Sequence, residues 1–312
     1  MLDYVVKRLL QGLLLIIVVS MLVFAMMDLM PGDPVELLTD RKVSQEVKDK
    51  LRVQYGLNLP LHERYIKWVG DALHGDFGTS LRSKQSVSVT FKQRLPVTIK
   101  LTGTALIIEL IIAVPIGLLA AYKKDGFLDR LMMGLSLLFA ALPSFWVAVL
   151  LILLFGVTLR ILPLSGFTSA KHYILPVTAI VLGGVASTMR MTKAEVIDVL
   201  RERYVLTAYA KGLTKRQVLV KHVLRNALIL VTIMFFLNIP WVISGAVIIE
   251  NIFVIPGMGK MLTEAILNQD FPVVQACVLM LSVLTVVCNI VCDIITAILD
   301  PRILISLGGS SK

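Results

Sequence analysis

The sequence predicts an all-helical membrane protein with six transmembrane helices. Of its 312 residues, 57% are hydrophobic and 17% are charged, and the mean hydropathy is +0.84. Soluble domains contain about 45–50% apolar and about 25% charged residues, so this chain holds more apolar side chains than one water-soluble core can bury. The excess is expected to face lipid, which excludes a soluble globular protein.

Six apolar stretches are long enough to cross a membrane. A hydrocarbon layer of roughly 30 Å requires about 20 helical residues. The stretches do not alternate as barrel strands do, and backbone hydrogen bonds must be satisfied within lipid, so each stretch is predicted to be a helix. The predicted spans are 9–27, 99–121, 131–157, 174–191, 227–249 and 273–299.

The charges of the loops predict the orientation of the chain. The formal net charge is +10, but the basic residues gather between the apolar stretches, so membrane lipid and cytoplasmic proteins are expected partners and nucleic acid is not. Lys7 and Arg8 precede the first span, and residues 190–226 contain nine basic residues. The positive-inside rule then places both termini and this segment in the cytoplasm. The loop 31–98 lies outside, where helical spacing of apolar residues predicts short helices.

Two acidic residues lie within the predicted spans. An ionised side chain at bilayer depth costs roughly 2.5–3.5 kcal/mol even on the lenient insertion scale, so Glu109 and Asp293 are expected to face other helices or a water-filled cavity. A role in lining a transport pathway and a purely structural hydrogen bond within the bundle fit each acid equally well.

The segment between the fourth and fifth spans is long and mixed in polarity. Helical propensity runs through it with a break at Gly212, and Tyr204, Ala208 and Lys211 lie on one helical face. Such a helix could present a surface to a cytoplasmic protein or lie on anionic lipid. The periodicity leaves both interpretations open.

The sequence contains no motif for ATP hydrolysis, hydrolytic catalysis or metal binding. A G-x-x-x-x-G-K-[ST] phosphate loop is absent, because Gly259-Lys260 is followed by Met261 and lacks the upstream glycine. The four histidines have no ligand spacing, and Cys288 and Cys292, four residues apart on one helix face, are of a kind that packs in a membrane more often than it binds metal. We therefore predict that the chain is not an enzyme and binds no metal or other cofactor itself.

One family resembles this sequence along nearly the whole chain. The strings Tyr204-Val-Leu-Thr-Ala-Tyr-Ala-Lys-Gly212 and His222-Val-Leu-Arg-Asn-Ala227 resemble the cytoplasmic EAA-type loop of ABC importer permeases, in the dipeptide/oligopeptide/nickel branch. The long loop after the first span resembles the first, or B-type, permease subunit. Further motifs that resemble the family are Pro31-Gly-Asp-Pro34, Tyr55-Gly-Leu57, Gly75-Asp-Phe-Gly78 with Ser80, Leu142-Pro-Ser-Phe-Trp146, Leu162-Pro163 with Ser165-Gly166, Glu250-Asn-Ile-Phe253 with Pro256-Gly-Met-Gly259, Asp270-Phe-Pro272, and Asn289 to Asp293 leading to Leu299-Asp-Pro-Arg302.

The resemblance implies the transmembrane domain of a type I ABC importer in a bacterial inner membrane. The implied organisation is an N-terminus and first helix in 1–30, an extracytoplasmic loop with short helices in 31–98, a five-helix permease core in 99–305 with a coupling loop near 192–226, and a cytoplasmic tail in 306–312. The implied partners are a second homologous six-helix permease in a heterodimer, two ABC ATPase subunits that bind ATP and magnesium, and an extracytoplasmic substrate-binding protein.

Three sets of site residues are predicted: the resemblance implies the coupling and gate sets, and Glu109 and Asp293 enter the path set by their position within the spans. The ATPase-coupling set is Tyr204, Thr207, Ala208, Ala210, Lys211, Gly212, His222, Arg225 and Asn226. The translocation-path set is Glu109, Asp293, Ser144 and Trp146. The set for an external gate or binding-protein contact is Glu250, Phe253, Pro256, Gly257 and Gly259, although the Pro-Gly-x-Gly run fits an ordinary chain reversal equally well.

The expected function is import of dipeptides or oligopeptides by alternating access, driven by ATP in the partner subunits. Within the same architecture, nickel or a metal chelate is the alternative substrate. Alternatives from other classes are a carrier or channel subunit driven by an ion gradient, and a membrane scaffold that docks other proteins. A stable complex with a second six-span chain and ATPases would indicate the importer, whereas a lone active chain would indicate the carrier.

Overall fold

The structure is a computed structural model that describes residues 2–29, 35, 44–54 and 58–299. In this part of the chain the only β pairing is an isolated bridge between Thr79 and Ser86, so the predicted all-helical fold is confirmed. The helices are α1 (Leu2–Leu29), α2 (Gln45–Gln54), α3 (Leu61–Leu73), α4 (Val87–Tyr122), α5 (Phe127–Ala141), α6 (Ser144–Leu151), α7 (Ala170–Leu200), α8 (Arg203–Ala210), α9 (Lys215–Val218), α10 (Leu224–Ile252), α11 (Met258–Leu267) and α12 (Phe271–Leu299). The π-helical segments Ile152–Thr158 and Leu219–Val223 follow α6 and α9.

Five of these elements are each long and apolar enough to cross a membrane. They are α1, α4, α7, α12 and the stretch Arg216–Ile252 that contains α10. The consecutive segments Phe127–Ala141 and Ser144–Thr158 pass the same test together as a bent pair. Counted as one span, the pair brings the total in the described chain to the predicted six.

The third predicted span, 131–157, is not one continuous helix, which corrects the sequence-based expectation. Its two halves are bent by 102° at a break between α5 and α6. Pro143 has no backbone N–H to donate into the preceding turn, and Leu142 before it adopts an extended conformation with φ −89° and ψ 126°. The helix therefore ends at Ala141 and a new one begins at Ser144.

Several element boundaries also differ from the predicted ones. Helix α4 begins at Val87, so residues 87–98, which were predicted as part of the external loop, form its first turns. Helix α7 continues to Leu200, beyond the predicted span end at 191, and most of 192–226 is helical. The expected short helices of the loop are α2 and α3. The motifs at 31–34 and 55–57 and the residues after 299 lie outside the described residues.

The chain divides into two compact units. The first unit comprises Ile99–Ile255 with the described parts of Met1–Val5 and Cys288–Lys312, and the second comprises Val6–Thr98 and Pro256–Val287. In the first unit, α7 packs against α5, α6 and α10, and α6 also packs against α10. Helix α7 is therefore central to the first unit.

The second unit has two packed regions. Helix α3 packs on α1 through aromatic rings, since the ring centroid of Phe24 lies 5.6 Å from that of Tyr65 and 5.8 Å from that of Trp68. The hydroxyls of Ser20 and Tyr65 are 2.7 Å apart and hydrogen-bonded. In the other region, buried residues of α11 and α12 form a hydrophobic cluster with Val87 and Phe91.

Candidate functional site

A cavity of about 260 Å³ opens among α4, α6, α7 and α10 in the first unit. Its polar lining residues are Glu109, Ser144, Ser187, Asn238 and Trp241, and all five lie within predicted spans. Polar groups at bilayer depth are costly unless they face protein or water. Their convergence on one cavity makes it the candidate translocation site.

The carboxylate of Glu109 forms part of the cavity wall and is held by α7. Glu109 is 2% exposed, and Thr188 Oγ1 donates a hydrogen bond of 2.6 Å to Glu109 Oε1. A Cβ at Gly184 would collide with this carboxylate, whereas a Cβ at Gly183 would meet nothing within 4 Å. The lack of a side chain at Gly184 therefore allows an acidic group to lie against the α7 backbone.

The structure brings together two of the four residues predicted for the translocation path. Glu109 and Ser144 line the cavity, whereas Trp146 and Asp293 are not among its lining residues. Trp146 is 46% exposed, and Asp293 is partly buried on α12. The path role of all four residues stays a prediction.

Sequence reasoning missed Ser187, Asn238 and Trp241, which also line the cavity. The available signal was the presence of polar side chains in otherwise apolar spans. That signal marks a residue as costly in lipid, but it does not say which helix face meets which neighbour.

Helix α8 occupies the position of the predicted coupling helix. Its inner face is anchored, because Val205 and Ala208 are buried in one cluster with Val196 of α7 and Ala227 of α10. Ala208, predicted as a coupling residue, therefore packs against the protein's own interior. The outward side of α8 remains uncovered, and Leu206 on that side is 61% exposed.

The end of α8 is defined by Gly212, as the sequence predicts. Lys211 is the C-cap residue, and Gly212 has φ +82°, a left-handed conformation that glycine adopts without steric cost. The Gly212 N–H donates to the Tyr209 carbonyl at 2.9 Å, which closes the last turn. Thr207, Ala210 and Lys211 are all exposed on this turn.

Asn226 links the start of α10 to the start of α8. Its Nδ2 donates one hydrogen bond of 2.8 Å to Tyr204 Oη and another of 2.8 Å to the His222 carbonyl. His222 is partly buried, and Arg225 is exposed. The structure thus brings four members of the predicted coupling set to the junction of α8 and α10, while their docking role stays a prediction.

The residues predicted for an external gate divide between the two units. In the first unit, Glu250 and Phe253 are fully buried at the end of α10, and the Phe253 carbonyl accepts a 2.9 Å hydrogen bond from the Gly166 N–H. In the second unit, Gly257 is the N-cap residue of α11 and Gly259 is buried in its first turn. Pro256 precedes them in the same unit. The gate role stays a prediction, because burial of this kind also fits a structural reversal.

Within the described residues, no group of three or more His, Cys, Asp or Glu side chains is placed to hold a metal ion. The arrangement instead combines membrane-spanning helices, a polar cavity among them and an anchored amphipathic helix at the junction of two spans. These features define a multi-pass membrane protein of the transport permease class.

Comparison with known sequences defines the family. Residues 113–305 match the family described as "Binding-protein-dependent transport system inner membrane component", and residues 1–102 match the corresponding N-terminal family. The chain belongs to this family and is a permease subunit of an ABC importer, as the sequence motifs predict. A permease of this kind works with a partner permease, ATPase subunits and a binding protein.

Individual relatives match over almost their full lengths. The chain is 37% identical to the oligopeptide transport system permease protein AppB of Bacillus subtilis, covering 97% of this chain and 99% of the relative. It is 38% identical to the glutathione transport system permease protein GsiC of Salmonella typhimurium, with 97% and 99% covered. A putative peptide transport system permease of Brucella abortus is 36% identical, with 96% and 98% covered.

A solved structure supports the fold. The MetNI methionine ABC transporter in an inward-facing conformation matches with a TM-score of 0.59 and 16% sequence identity. The match covers 67% of this chain and 96% of that chain. The predicted type I importer fold is thereby confirmed.

Proposed function

We propose that this chain is the permease through which an ATP-driven importer moves dipeptides or oligopeptides across a bacterial inner membrane. Relatives named for oligopeptide, peptide and glutathione transport support this substrate class. The observation that carries the mechanism is the construction of α8, which is anchored by its inner face and uncovered on its outer face.

The uncovered face of α8 is a docking surface for an ATPase subunit. Leu206 and Tyr209 are exposed there on a segment rich in basic residues. Contiguous exposed apolar side chains mark interaction sites, and tyrosine is enriched at protein interfaces. ATP and magnesium bind in that partner, because this chain has no phosphate-binding loop.

Motion of α8 reaches the cavity through α7. Val196 of α7 packs with α8 in the anchored cluster, and Thr188, two turns earlier on the same helix, holds Glu109. A long continuous helix moves as a rigid element, so a displacement at one end alters the cavity lining near the other. ATP drives the cycle only if the ATPases bind the two permease conformations with different free energies.

The orientation follows from charge. The nine basic residues of 190–226 support a cytoplasmic location for α8 and both termini, as the positive-inside rule expects. The external loop then faces the substrate-binding protein, and the homologous second permease completes the translocation path as a heterodimer.

The test compares two leucine substitutions in the reconstituted importer. Leu206→Asp introduces a charge into the proposed docking face and should weaken ATPase binding about thirtyfold, the loss of a typical interface hot spot. Leu73→Asp is the matched control, because Leu73 is 82% exposed on α3 in the external loop. ATPase retention on the purified permease pair and ATP-dependent uptake of a labelled dipeptide are measured for both variants.

Loss of both signals in Leu206→Asp alone is the expected result. Full ATPase retention by Leu206→Asp would overturn the docking assignment. Uptake of nickel ion but no peptide by the wild-type importer would overturn the substrate class.

A further inference from the structure

A second cavity, of about 400 Å³, lies in the first unit between α4 and the first turns of α7. It shares no lining residue with the cavity at Glu109. Its one charged lining residue is Lys100, and no carboxylate lines it. The cavity therefore offers a cation without a competing acid, inside a groove between two membrane-spanning helices.

Both walls of the groove change from polar to apolar along their length. On α4, Lys100, Thr104 and Ile108 follow one another at four-residue spacing on one face. On the other wall, Thr168 and Ser169 precede Tyr173, and Val177 lies one turn further along α7. Hydroxyl groups are followed by aliphatic groups along each wall, and the α4 wall alone adds a cation at its polar end.

The two polarity gradients run in the same direction. Lys100 Nζ lies 5.0 Å from the centroid of the Tyr173 ring, so the polar end of the α4 wall lies beside the first turn of α7. The opposite end is bordered by Ile108 and Val177. The groove thus matches a molecule with an anionic head and an apolar tail.

The polar end is built on a rigid frame. The Ser169 hydroxyl and His172 Nδ1 are 2.8 Å apart in a capping box at the start of α7. The preceding loop is tied to the end of α10 by the Gly166 N–H bond to Phe253. A preformed site of this kind spends little free energy on ordering when its ligand binds.

We propose that this groove binds an anionic phospholipid. The phosphate lies beside Lys100 and the hydroxyl of Thr168, and an acyl chain follows Ile108, Ile174 and Val177. Lipid is the occupant that charge and polarity favour, because the groove opens on helices that cross the membrane and Ile174 is exposed beside it. Basic pockets between transmembrane helices on the cytoplasmic side of membranes bind anionic headgroups, and this groove is the equivalent site at the external side.

The test uses the complete importer in phosphatidylcholine nanodiscs that contain a minority of phosphatidylglycerol. Native mass spectrometry measures how strongly phosphatidylglycerol is retained over phosphatidylcholine. Lys100→Gln should reduce this enrichment about fivefold, since one basic residue near a membrane surface contributes about that factor. Lys92→Gln is the matched control, because Lys92 is exposed on the same helix but does not line the groove.

A second variant keeps the charge and fills the space. Ala170 lines the groove and is exposed, so Ala170→Phe should exclude the lipid while leaving Lys100 in place. Unchanged retention in Lys100→Gln and Ala170→Phe would overturn the proposal, as would an equal loss in Lys92→Gln. Cross-linking of Ala170→Cys to another protein subunit would also overturn it, because the groove would then be a protein interface.

Discussion

Ser80 donates a hydrogen bond of 2.5 Å to the carboxylate of Asp270, although 190 positions separate the two residues in the sequence. The other carboxylate oxygen accepts a 3.0 Å hydrogen bond from the Leu81 N–H. Asp270 and Ser80 are both buried. This contact joins the segment after α3 to the turn before α12 within the second unit, and it brings together two motifs that the sequence shows only as separate strings.

Replacing Ser80 should destabilise the second unit. Ser80→Ala leaves a buried carboxylate oxygen without its hydroxyl donor, which should lower the free energy of unfolding by about 1–3 kcal/mol. Ser83→Ala is the control, because the Ser83 hydroxyl is exposed and accepts only a 3.4 Å contact from the Gln85 N–H. Thermal unfolding of the purified permease measures both variants, and equal shifts would contradict the assignment.

Gly117 sets the approach of α4 to α7. A Cβ at this position would lie 2.6 Å from the Met189 carbonyl oxygen and 2.7 Å from Thr192 Cβ, whereas a Cβ at Gly103 on the same helix would meet nothing within 4 Å. Gly117→Ala should therefore cost about 1–3 kcal/mol through overpacking, while Gly103→Ala should be neutral or stabilising. Denaturation of the purified chain compares them. A Gly117→Ala variant as stable as Gly103→Ala would show that the helices are further apart.

Gly184 and Gly183 form a pair of neighbouring test positions beside the cavity. Gly184→Ala should displace the Glu109 carboxylate and break its hydrogen bond to Thr188, so transport activity should fall about tenfold or more for a loss of about 1–3 kcal/mol. Gly183→Ala adds the same methyl group into open space and should retain activity. ATP-dependent peptide uptake measures both. Normal peptide uptake by Gly184→Ala would contradict a role of Glu109 in the translocation path.

Gly212 should be sensitive to side-chain type rather than to size alone. Nothing lies within 4 Å of a Cβ built there, but its φ of +82° strains any β-branched residue. Gly212→Val should therefore uncouple ATP hydrolysis from uptake, while Gly212→Asn, which tolerates the left-handed conformation, should keep most of the coupling. Uptake per ATP hydrolysed is the measurement, and membrane insertion should be normal in both. Equal coupling in the two variants would refute the role of this backbone conformation.

The contributions of Asp129 on α5 and Lys193 on α7 to the free energy of unfolding should be strongly coupled. Lys193 Nζ lies 2.6 Å from Asp129 Oδ1, and the two side chains are 16% and 4% exposed. Asp129→Asn or Lys193→Met alone should cost about 3 kcal/mol, because each leaves one buried charge unpaired, whereas the double variant should cost less than the sum. The pair Lys260–Glu264, at 3.6 Å and with side chains 21% and 54% exposed, provides the control, and Glu264→Gln should cost under about 1 kcal/mol. Strict additivity in unfolding experiments would contradict the coupling.

The class of the protein and the position of its principal helices could be predicted from sequence because both depend on local properties. Long apolar runs require lipid and a helical backbone, whatever their neighbours. The end of α8 at Gly212 was equally predictable, since a left-handed residue after a helix favours glycine. The motifs around Tyr204 and Asn226 indicated the family for the same reason, because they are contiguous strings.

The contacts that make the candidate site were decided only by tertiary structure. The position of Glu109 within an apolar stretch shows that its charge is costly in lipid. It does not show that Thr188 donates a hydrogen bond to Glu109, that Gly184 leaves room for the carboxylate, or that Trp146 is absent from the cavity lining. The meeting of Ser80 with Asp270 likewise depends on packing among distant segments. Sequence alone determined which polar side chains must avoid lipid and which apolar side chains must avoid water. The fold selected their partners, because helix faces meet in space according to close packing and not according to their order along the chain.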